Sequence, residues 1–281
     1  MDRHAAVVSS VLAQAKAWVA LDSTSEGVKL EALDLPLDEL YVLRFVVSAM
    51  RRKSGEKAGE QLALQNLLEN LKFRGRHREE LKSARDLTAH PPHTYPITAV
   101  TGWIGNDMVA ISRLGTLDQN EVVAKYSAEE ATMLSARYNE RLRVALDQRT
   151  RETGILCKVI SVVDMHGFAL AHANMTMLRA FGTTSKFNET HLPQFLGSIV
   201  ILNAPATFRI LYSMAKNFMS QSTLEKIKMC GGKSMSTRSG EECPFLAKLG
   251  KAALEAFPPE FGGSGPENPD LAACREKTVV Q

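Results

Sequence analysis

The chain has 281 residues, with 34 basic and 31 acidic side chains and a net charge of +3. Hydrophobic residues make up 44% and charged residues 23%, a composition that favours a folded globular protein over general disorder. The balance of charge argues against a dedicated nucleic-acid-binding protein, and the length suggests about two domains.

The four cysteines, Cys157, Cys230, Cys243 and Cys274, include no CxxC pair. This spacing argues against a structural zinc site and against a disulfide framework, so we predict free thiols in a reducing compartment. No apolar run reaches the roughly 20 residues that a membrane-spanning helix needs. Residues 5–21 repeat apolar side chains at helical spacing and lack a basic leader, which predicts an amphipathic helix and not a secretion signal.

The first third of the chain predicts helices. Apolar side chains recur at helical spacing over residues 37–50 and again over 62–71, and no strand-like run precedes residue 95. A break rich in proline and histidine follows at 89–93 and is typical of a linker. We therefore predict an all-helical N-terminal domain over residues 1–88.

A hairpin and a long helix are predicted next. Apolar runs at 97–104 and 108–114 flank the turn sequence Gly-Asn-Asp, which is typical of a β-hairpin. Ser127, followed three residues later by a glutamate, forms a capping box and predicts a helix over 127–152. Gly154 is placed to end that helix.

Strands and helices alternate in the rest of the chain. Apolar runs at 155–164, 198–203 and 226–229 predict strands, and helical stretches at 208–219 and 242–257 lie among them. This alternation implies right-handed crossovers and a partly parallel sheet.

We therefore predict an α/β fold, with a mixed, largely parallel sheet and flanking helices over residues 89–263. The helical domain at 1–88 precedes it. A tail at 264–281 is rich in glycine, proline and polar residues, and we expect it to be flexible.

No pattern singles out a catalytic or metal centre. The G-x-S-x-G elbow of serine hydrolases is absent. Asp164 with His172 or His191 leaves a small hydrolase open as an alternative. His90 and His93 are separated by two prolines and have no carboxylate nearby, so we expect no metal site.

Two basic runs in the first third have two interpretations. One is a solvated helix surface. The other is attraction to an anionic membrane surface, at about 1 kcal/mol for each well-placed cation. The runs consist of Arg51, Arg52, Lys53 and Lys57, and of Lys72, Arg74, Arg76, Arg78, Lys82 and Arg85.

Five segments in the second half occur in an order found in a known family. An aspartate-x-x-glycine turn is followed by a proline-x-x-leucine-glycine segment and a strand that ends in Asn-Ala-Pro. A segment containing Lys-Ile and a closing Phe-Pro-Pro-Glu-Phe-Gly-Gly come after it. Together they resemble the CRAL-TRIO lipid-binding family of the phosphatidylinositol-transfer type, and Leu43-Arg44-Phe45 is similar to part of its N-terminal helices. The segments are residues 164–167, 192–197, 198–208, 215–229 and 257–263.

The resemblance implies a lipid cavity closed by a gate. In the family, a helix after Asn-Ala-Pro covers the cavity, and the matching stretch here has an apolar helical face. A gate must be apolar toward the lipid and toward a membrane, which an amphipathic helix provides. The implied gate and cavity residues are Phe208, Leu211, Tyr212, Ala215, Phe218 and Met219.

The resemblance also implies a site for the lipid head group. Thr223 and Lys226 match the threonine and lysine of phosphatidylinositol-binding members, but Gln194 stands where those members have glutamate. Ala169 and Ala171 replace serines that contact phosphatidylcholine in some members. These changes favour a less polar ligand or a relaxed head-group preference. The implied head-group residues are Lys226, Thr223, Gln194 and His172.

We predict from this that the protein binds a single phospholipid or other hydrophobic lipid in a gated apolar cavity and transfers it between membranes. We expect no catalytic activity, no cofactor besides the bound lipid, no nucleic-acid partner, and a cytoplasmic monomer that visits anionic membranes. Two alternatives remain: a lipid-responsive adaptor without net transfer, and the small hydrolase using His172 or His191 near Asp164.

Overall fold

The structure is a computed structural model, and its described residues fall into two compact units. The first unit takes its residues from 1–89, 135–147 and 187–195, and the second from 90–134, 148–186 and 196–281. The predicted boundaries, 1–88, 89–263 and 264–281, stay a prediction. The residues described are 4–21, 36–85, 98–115, 117, 119–169, 174–230, 255–261 and 263–267.

The N-terminal helices of the first unit pack their apolar stripes against one another. Val11, Phe45 and Leu67, from three successive helices, share one buried core. The second helix begins at Asp38, whose side chain accepts a hydrogen bond from the Tyr41 amide at 2.9 Å. The helices predicted for this third of the chain are confirmed. They are α1 (Ala5–Leu21), α2 (Glu39–Arg52), α3 (Glu56–Arg76) and α4 (Arg78–Ala84).

A five-stranded sheet forms the second unit, in the order β1-β2-β3-β4-β5. The β1–β2 pair is an antiparallel hairpin, and every later pair is parallel. The predicted fold class, a largely parallel α/β sheet with flanking helices after an N-terminal helical region, is confirmed. The strands are β1 (Thr98–Ile104), β2 (Asp107–Arg113), β3 (Val159–Asp164), β4 (Leu196–Leu202) and β5 (Ile227–Met229).

Helices connect the strands where the parallel pairs require crossovers. The capping box is present, since Ser127 accepts from the Glu130 amide and Glu130 accepts from the Ser127 amide. Gly154 ends that helix in the left-handed conformation (φ 69°). The helices are α5 (Gln119–Lys125), α6 (Ala128–Thr153), α7 (Met175–His191), α8 (Phe208–Ala215) and α9 (Gln221–Leu224).

The two faces of the sheet are packed differently. On one, which we term the filled face, six apolar side chains of β2, β3 and β4 are buried in one cluster with Phe257 and Phe261. The other, which we term the α8 face, packs against α7 and α8. The filled face consists of Val109, Ile111, Ile160, Val162, Val200 and Leu202, and the α8 face of Ser161, Val163, Ile199, Ile201 and Ile227.

A buried charge cluster organises the part of α6 that belongs to the first unit. Glu140 is 1% exposed and accepts hydrogen bonds from Arg74, Arg85 and Arg143 at 2.6–3.0 Å. Burial alone would raise the pKa of Glu140, but the hydrogen bonds and charges of Arg143 and Arg74 hold it well below its ordinary value. Arg74 and Arg85 of the second basic run therefore stabilise the fold through their hydrogen bonds to Glu140.

Three sequence expectations need correction or lie outside the described residues. The third strand begins at Val159 and not at 155, since Ile155 lies exposed after the end of α6. Cys157 is a buried free thiol as expected, but Cys230 is disulfide-bonded, so the prediction of free thiols is wrong there. The helix predicted at 242–257 lies almost wholly outside the described residues.

Candidate functional site

Hydrogen bonds to a buried aspartate join the carboxyl ends of β3 and β4. Asp164 is 2% exposed, and its side chain accepts from the His166 amide at 3.0 Å and from the Asn203 side chain at 2.9 Å. Asn203 has a positive φ of 53° and Gly167 one of 81°, conformations that asparagine and glycine tolerate best. The aspartate-x-x-glycine and Asn-Ala-Pro motifs thus meet in space, where they hold together the strand ends that precede α8.

Helix α8 lies over the α8 face. Phe208, Leu211 and Ala215 are buried in one cluster with Ile201 of β4 and Leu178 of α7. The α-helix ends at Ala215 and continues as a single 3₁₀ turn over residues 216–218, so the predicted helix 208–219 is shorter than expected. Tyr212, Phe218 and Met219, also predicted for the gate, are only partly buried.

The α8 face is incompletely buried at its centre. Four side chains on this face keep intermediate exposure: Ser161, Val163, Ile199 and Ile227. The first three lie on β3 and β4, which have a neighbouring strand on each side. The filled face has no such gap at the matching positions, where Ile160, Val162 and Val200 are buried. Solvent-sized space therefore reaches the middle of the α8 face.

A close contact with α7 fixes the 3₁₀ turn that follows α8. A Cβ added to Gly182 of α7 would lie 2.9 Å from the Phe218 Cβ and 3.0 Å from the Phe218 carbonyl oxygen. Only glycine lets the 3₁₀ turn approach α7 this closely. The chain is thereby held against α7 just before it turns toward β5.

Hydroxyl groups gather at the turn that leads into β5. Ser220 begins α9 by accepting from the Thr223 amide at 3.2 Å, and its hydroxyl lies 3.1 Å from the Thr223 hydroxyl. Ser185 of α7 lies 3.5 Å from the same Thr223 oxygen. The next residues bring Lys226 into this turn, where its amide donates to the Thr223 carbonyl at 3.1 Å.

The predicted head-group residues are thus only partly brought together. Thr223 and Lys226 share one turn, to which the structure adds Ser185 and Ser220. Sequence reasoning missed Ser185 because it comes from another helix, 38 residues before Thr223. Gln194 belongs to the first unit, where its carbonyl accepts from Arg44 at 3.1 Å. The predicted residue His172 lies outside the described residues.

The outer side of α8 is apolar as well. Ile210 is 58% exposed and Met214 is 36% exposed, one helical turn apart. Helix α8 therefore buries Phe208 and Leu211 on one side and exposes two large apolar side chains on the other.

The hydrolase alternative named His172 and His191, of which His191 is a described residue, and it lies among aromatic rings. His191 ends α7, and its ring centroid is 4.3 Å from that of Phe187 and 4.9 Å from that of Phe73. Its Nδ1 is buried without a hydrogen-bond partner among the described residues. Burial, and then the charge of Arg74, lower the pKa of His191 to about 4. The adjacent cavity of about 10 Å³ has room for about one water molecule.

The largely parallel sheet and its flanking helices, with α8 over one face, define an α/β domain. The model of the CRAL/TRIO domain matches residues 104–244, half of the chain, and the chain belongs to this family. Family membership places it among domains that bind lipids or other hydrophobic ligands.

Known proteins resemble the chain at moderate identity. It is 24% identical over 136 residues to the protein "real-time" of Anopheles gambiae, across 47% of this chain and 20% of that protein. It is 26% identical over 156 residues to a CRAL-TRIO domain-containing protein of Caenorhabditis elegans, across 55% of this chain and 21% of that protein. The chain thus spans about a fifth of the length of these curated relatives.

A solved structure shares the fold. The crystal structure of Sfh5 superposes with a TM-score of 0.55 at 17% identity, covering 79% of this chain and 80% of that one. Within the described part of the chain, no helix is long and apolar enough to cross a membrane.

Proposed function

We propose that the protein takes up one phospholipid or other hydrophobic lipid between α8 and the α8 face and transfers it between membranes without chemical change. The observation that carries this proposal is the partly exposed centre of the α8 face beneath an amphipathic helix. Each methylene that the lipid buries there contributes about 0.8 kcal/mol. The bound lipid is the expected ligand, and we propose no cofactor, metal or nucleic acid.

The polar end of the lipid would bind at the turn before β5. Lys226 can pair with a phosphate, and the hydroxyls of Thr223 and Ser185 can donate to its oxygens. Gln194 and His172 remain proposed head-group residues. Glutamine cannot carry the charge of the glutamate found in phosphatidylinositol-binding members, which favours a ligand with a simpler head group.

Uptake and release would occur at a membrane surface in the cytoplasm, by a monomer that binds the membrane only transiently. Ile210 and Met214 can enter the interfacial region as α8 opens. Arg51 and Lys53, exposed at the end of α2, can add attraction to anionic lipids. The gate would close once the acyl chains are covered.

Charge reversal at Lys226 tests the head-group site. Loss of a charge-assisted hydrogen bond is worth about 1.5–3 kcal/mol, so Lys226→Glu should weaken binding of fluorescent phosphatidic acid at least about tenfold. The matched control is Lys228→Glu, since Lys228 is exposed two residues later, on β5. The measurement is binding from phosphatidylcholine vesicles, followed by transfer to unlabelled vesicles.

The outcomes separate the alternatives. Equal binding by the Lys226→Glu and wild-type chains would remove Lys226 from the site. Binding without net transfer would favour the lipid-responsive adaptor. Turnover of an ester substrate that is lost in His191→Ala would favour the hydrolase.

A further inference from the structure

Ser161 is a polar residue in an otherwise apolar setting. It lies in the middle of β3 and points to the same face as Val163, two residues later. The neighbours on that face are Ile199 and Ile227, which pack against α7 and α8. Ser161 keeps intermediate exposure, and its hydroxyl has no hydrogen-bond partner among the described residues.

The strand register relates Ser161 to the proposed head-group turn. Ser161 pairs with Ile199, and Ile199 pairs with Ile227 in the next strand. With strands about 4.8 Å apart, Ser161 lies about 10 Å across the sheet from Ile227. Lys226 immediately precedes Ile227, and its carbonyl accepts from the Ile199 amide at 3.0 Å. Along the strand direction, Ser161 is therefore at the same height as the turn before β5, and it lies about two strands away toward the middle of the sheet.

A ligand that fills this space must cover the Ser161 hydroxyl. Covering it with hydrocarbon strips its water and leaves a donor unsatisfied, which opposes binding. A ligand that brings an acceptor to this point avoids that loss. In a glycerophospholipid, the ester carbonyls follow the phosphate by a few bonds, so a phosphate at Lys226 places them toward Ser161.

We infer that Ser161 donates a hydrogen bond to an ester carbonyl of the bound lipid and so selects ester-linked over ether-linked glycerolipids. The inference rests on the proposed function, because it needs a lipid on the α8 face. It adds a specificity-determining residue from the middle of β3 to the head-group residues proposed above.

The test is competitive loading from vesicles that contain equal amounts of diacyl and dialkyl phosphatidic acid with matched chains. This lipid carries the phosphate and no larger head group. Bound lipid is extracted and quantified by mass spectrometry. One neutral hydrogen bond is worth up to about a tenfold preference, so the wild-type chain should load up to about ten times more diacyl lipid. Ser161→Ala should bring the ratio to about one without loss of total loading.

Two variants serve as controls. Ser161→Thr keeps a hydroxyl on a residue that suits a strand, and should keep the preference. Ser198→Ala removes a hydroxyl from the opposite face, since Ser198 pairs with Ile160 of the filled face, and should also keep it. An unchanged ratio in Ser161→Ala, or a wild-type ratio of one, overturns the inference while lipid loading still upholds the proposed function. No loading of either lipid by the wild-type chain overturns both.

Discussion

His191 illustrates how single residues report on their surroundings. Its imidazole packs against Phe73 and Phe187, which also contact each other, and its Nδ1 makes no hydrogen bond to any described residue. Burial disfavours the charged ring, and the nearby charge of Arg74 adds to the effect. The folded chain thus keeps His191 neutral at any pH well above 4.

This gives a prediction on stability and pH. The pKa of His191 is about 4 in the folded chain against an ordinary value of 6.5, so the unfolded chain binds more protons between these pH values. Stability should therefore fall as the pH drops through this window, by about 2 kcal/mol between pH 7.5 and 5 from this residue. Urea unfolding of the wild-type and His191→Phe chains at both pH values measures it.

The control for this prediction is His166→Gln, because His166 is an exposed histidine in a turn. Between pH 7.5 and 5, the free energy of unfolding of this control should change as much as that of the wild-type chain. In His191→Phe the same change should be about 2 kcal/mol smaller. If the free energy of unfolding changed with pH by the same amount in the wild-type and His191→Phe chains, the imidazole would not be held neutral by its surroundings.

At the scale of elements, the proposal of lipid exchange at a membrane depends on α8. It is buried through Phe208 and Leu211 and exposes Ile210 and Met214. Its inner residues contact the α8 face, whose centre stays partly exposed. The same short helix can thus face a lipid on one side and a membrane on the other.

The outer side of α8 gives a second prediction. A chain with both Ile210→Asp and Met214→Asp should bind phosphatidylcholine–phosphatidylserine vesicles roughly tenfold more weakly, because two apolar side chains no longer enter the interface. Vesicle co-sedimentation measures it. Asn217→Asp adds a charge at an exposed position just past α8 and should bind nearly as well as the wild-type chain. Unchanged binding by the double variant would exclude this side of α8 from membrane contact.

Local signals predicted the elements well. The capping box at Ser127 and the glycine at 154 act within one helical turn, so the sequence alone could place both ends of α6. The end of α8 was predicted four residues too late, because the apolar spacing continues to Met219 while the backbone tightens into a 3₁₀ turn. Spacing of side chains does not distinguish these two kinds of helix.

Contacts between distant segments could not be predicted in this way. Glu140 meets Arg74 across 66 residues, and Ser185 meets Thr223 across 38. Neither pair belongs to a periodic pattern, and an isolated arginine or serine on a helix gives no sign of its partner. Thr223 and Lys226 were predicted by resemblance because they lie in one short segment.

For the whole molecule, the account depends on an apolar space that holds a lipid. The family, the sheet and α8 are consistent with one another, and the partly exposed centre of the α8 face is where the acyl chains would lie. The curated relatives are about five times longer than the regions that match this chain. Binding of the proposed ligand can be measured on this chain.

The most direct measurement is extraction of the purified full chain with organic solvent, followed by quantitative lipid mass spectrometry. The account predicts about one lipid molecule for each chain, enriched over the lipids that accompany an unrelated protein purified from the same cells. Recovery of no lipid above that background, with no uptake when the chain is mixed with vesicles, would contradict it.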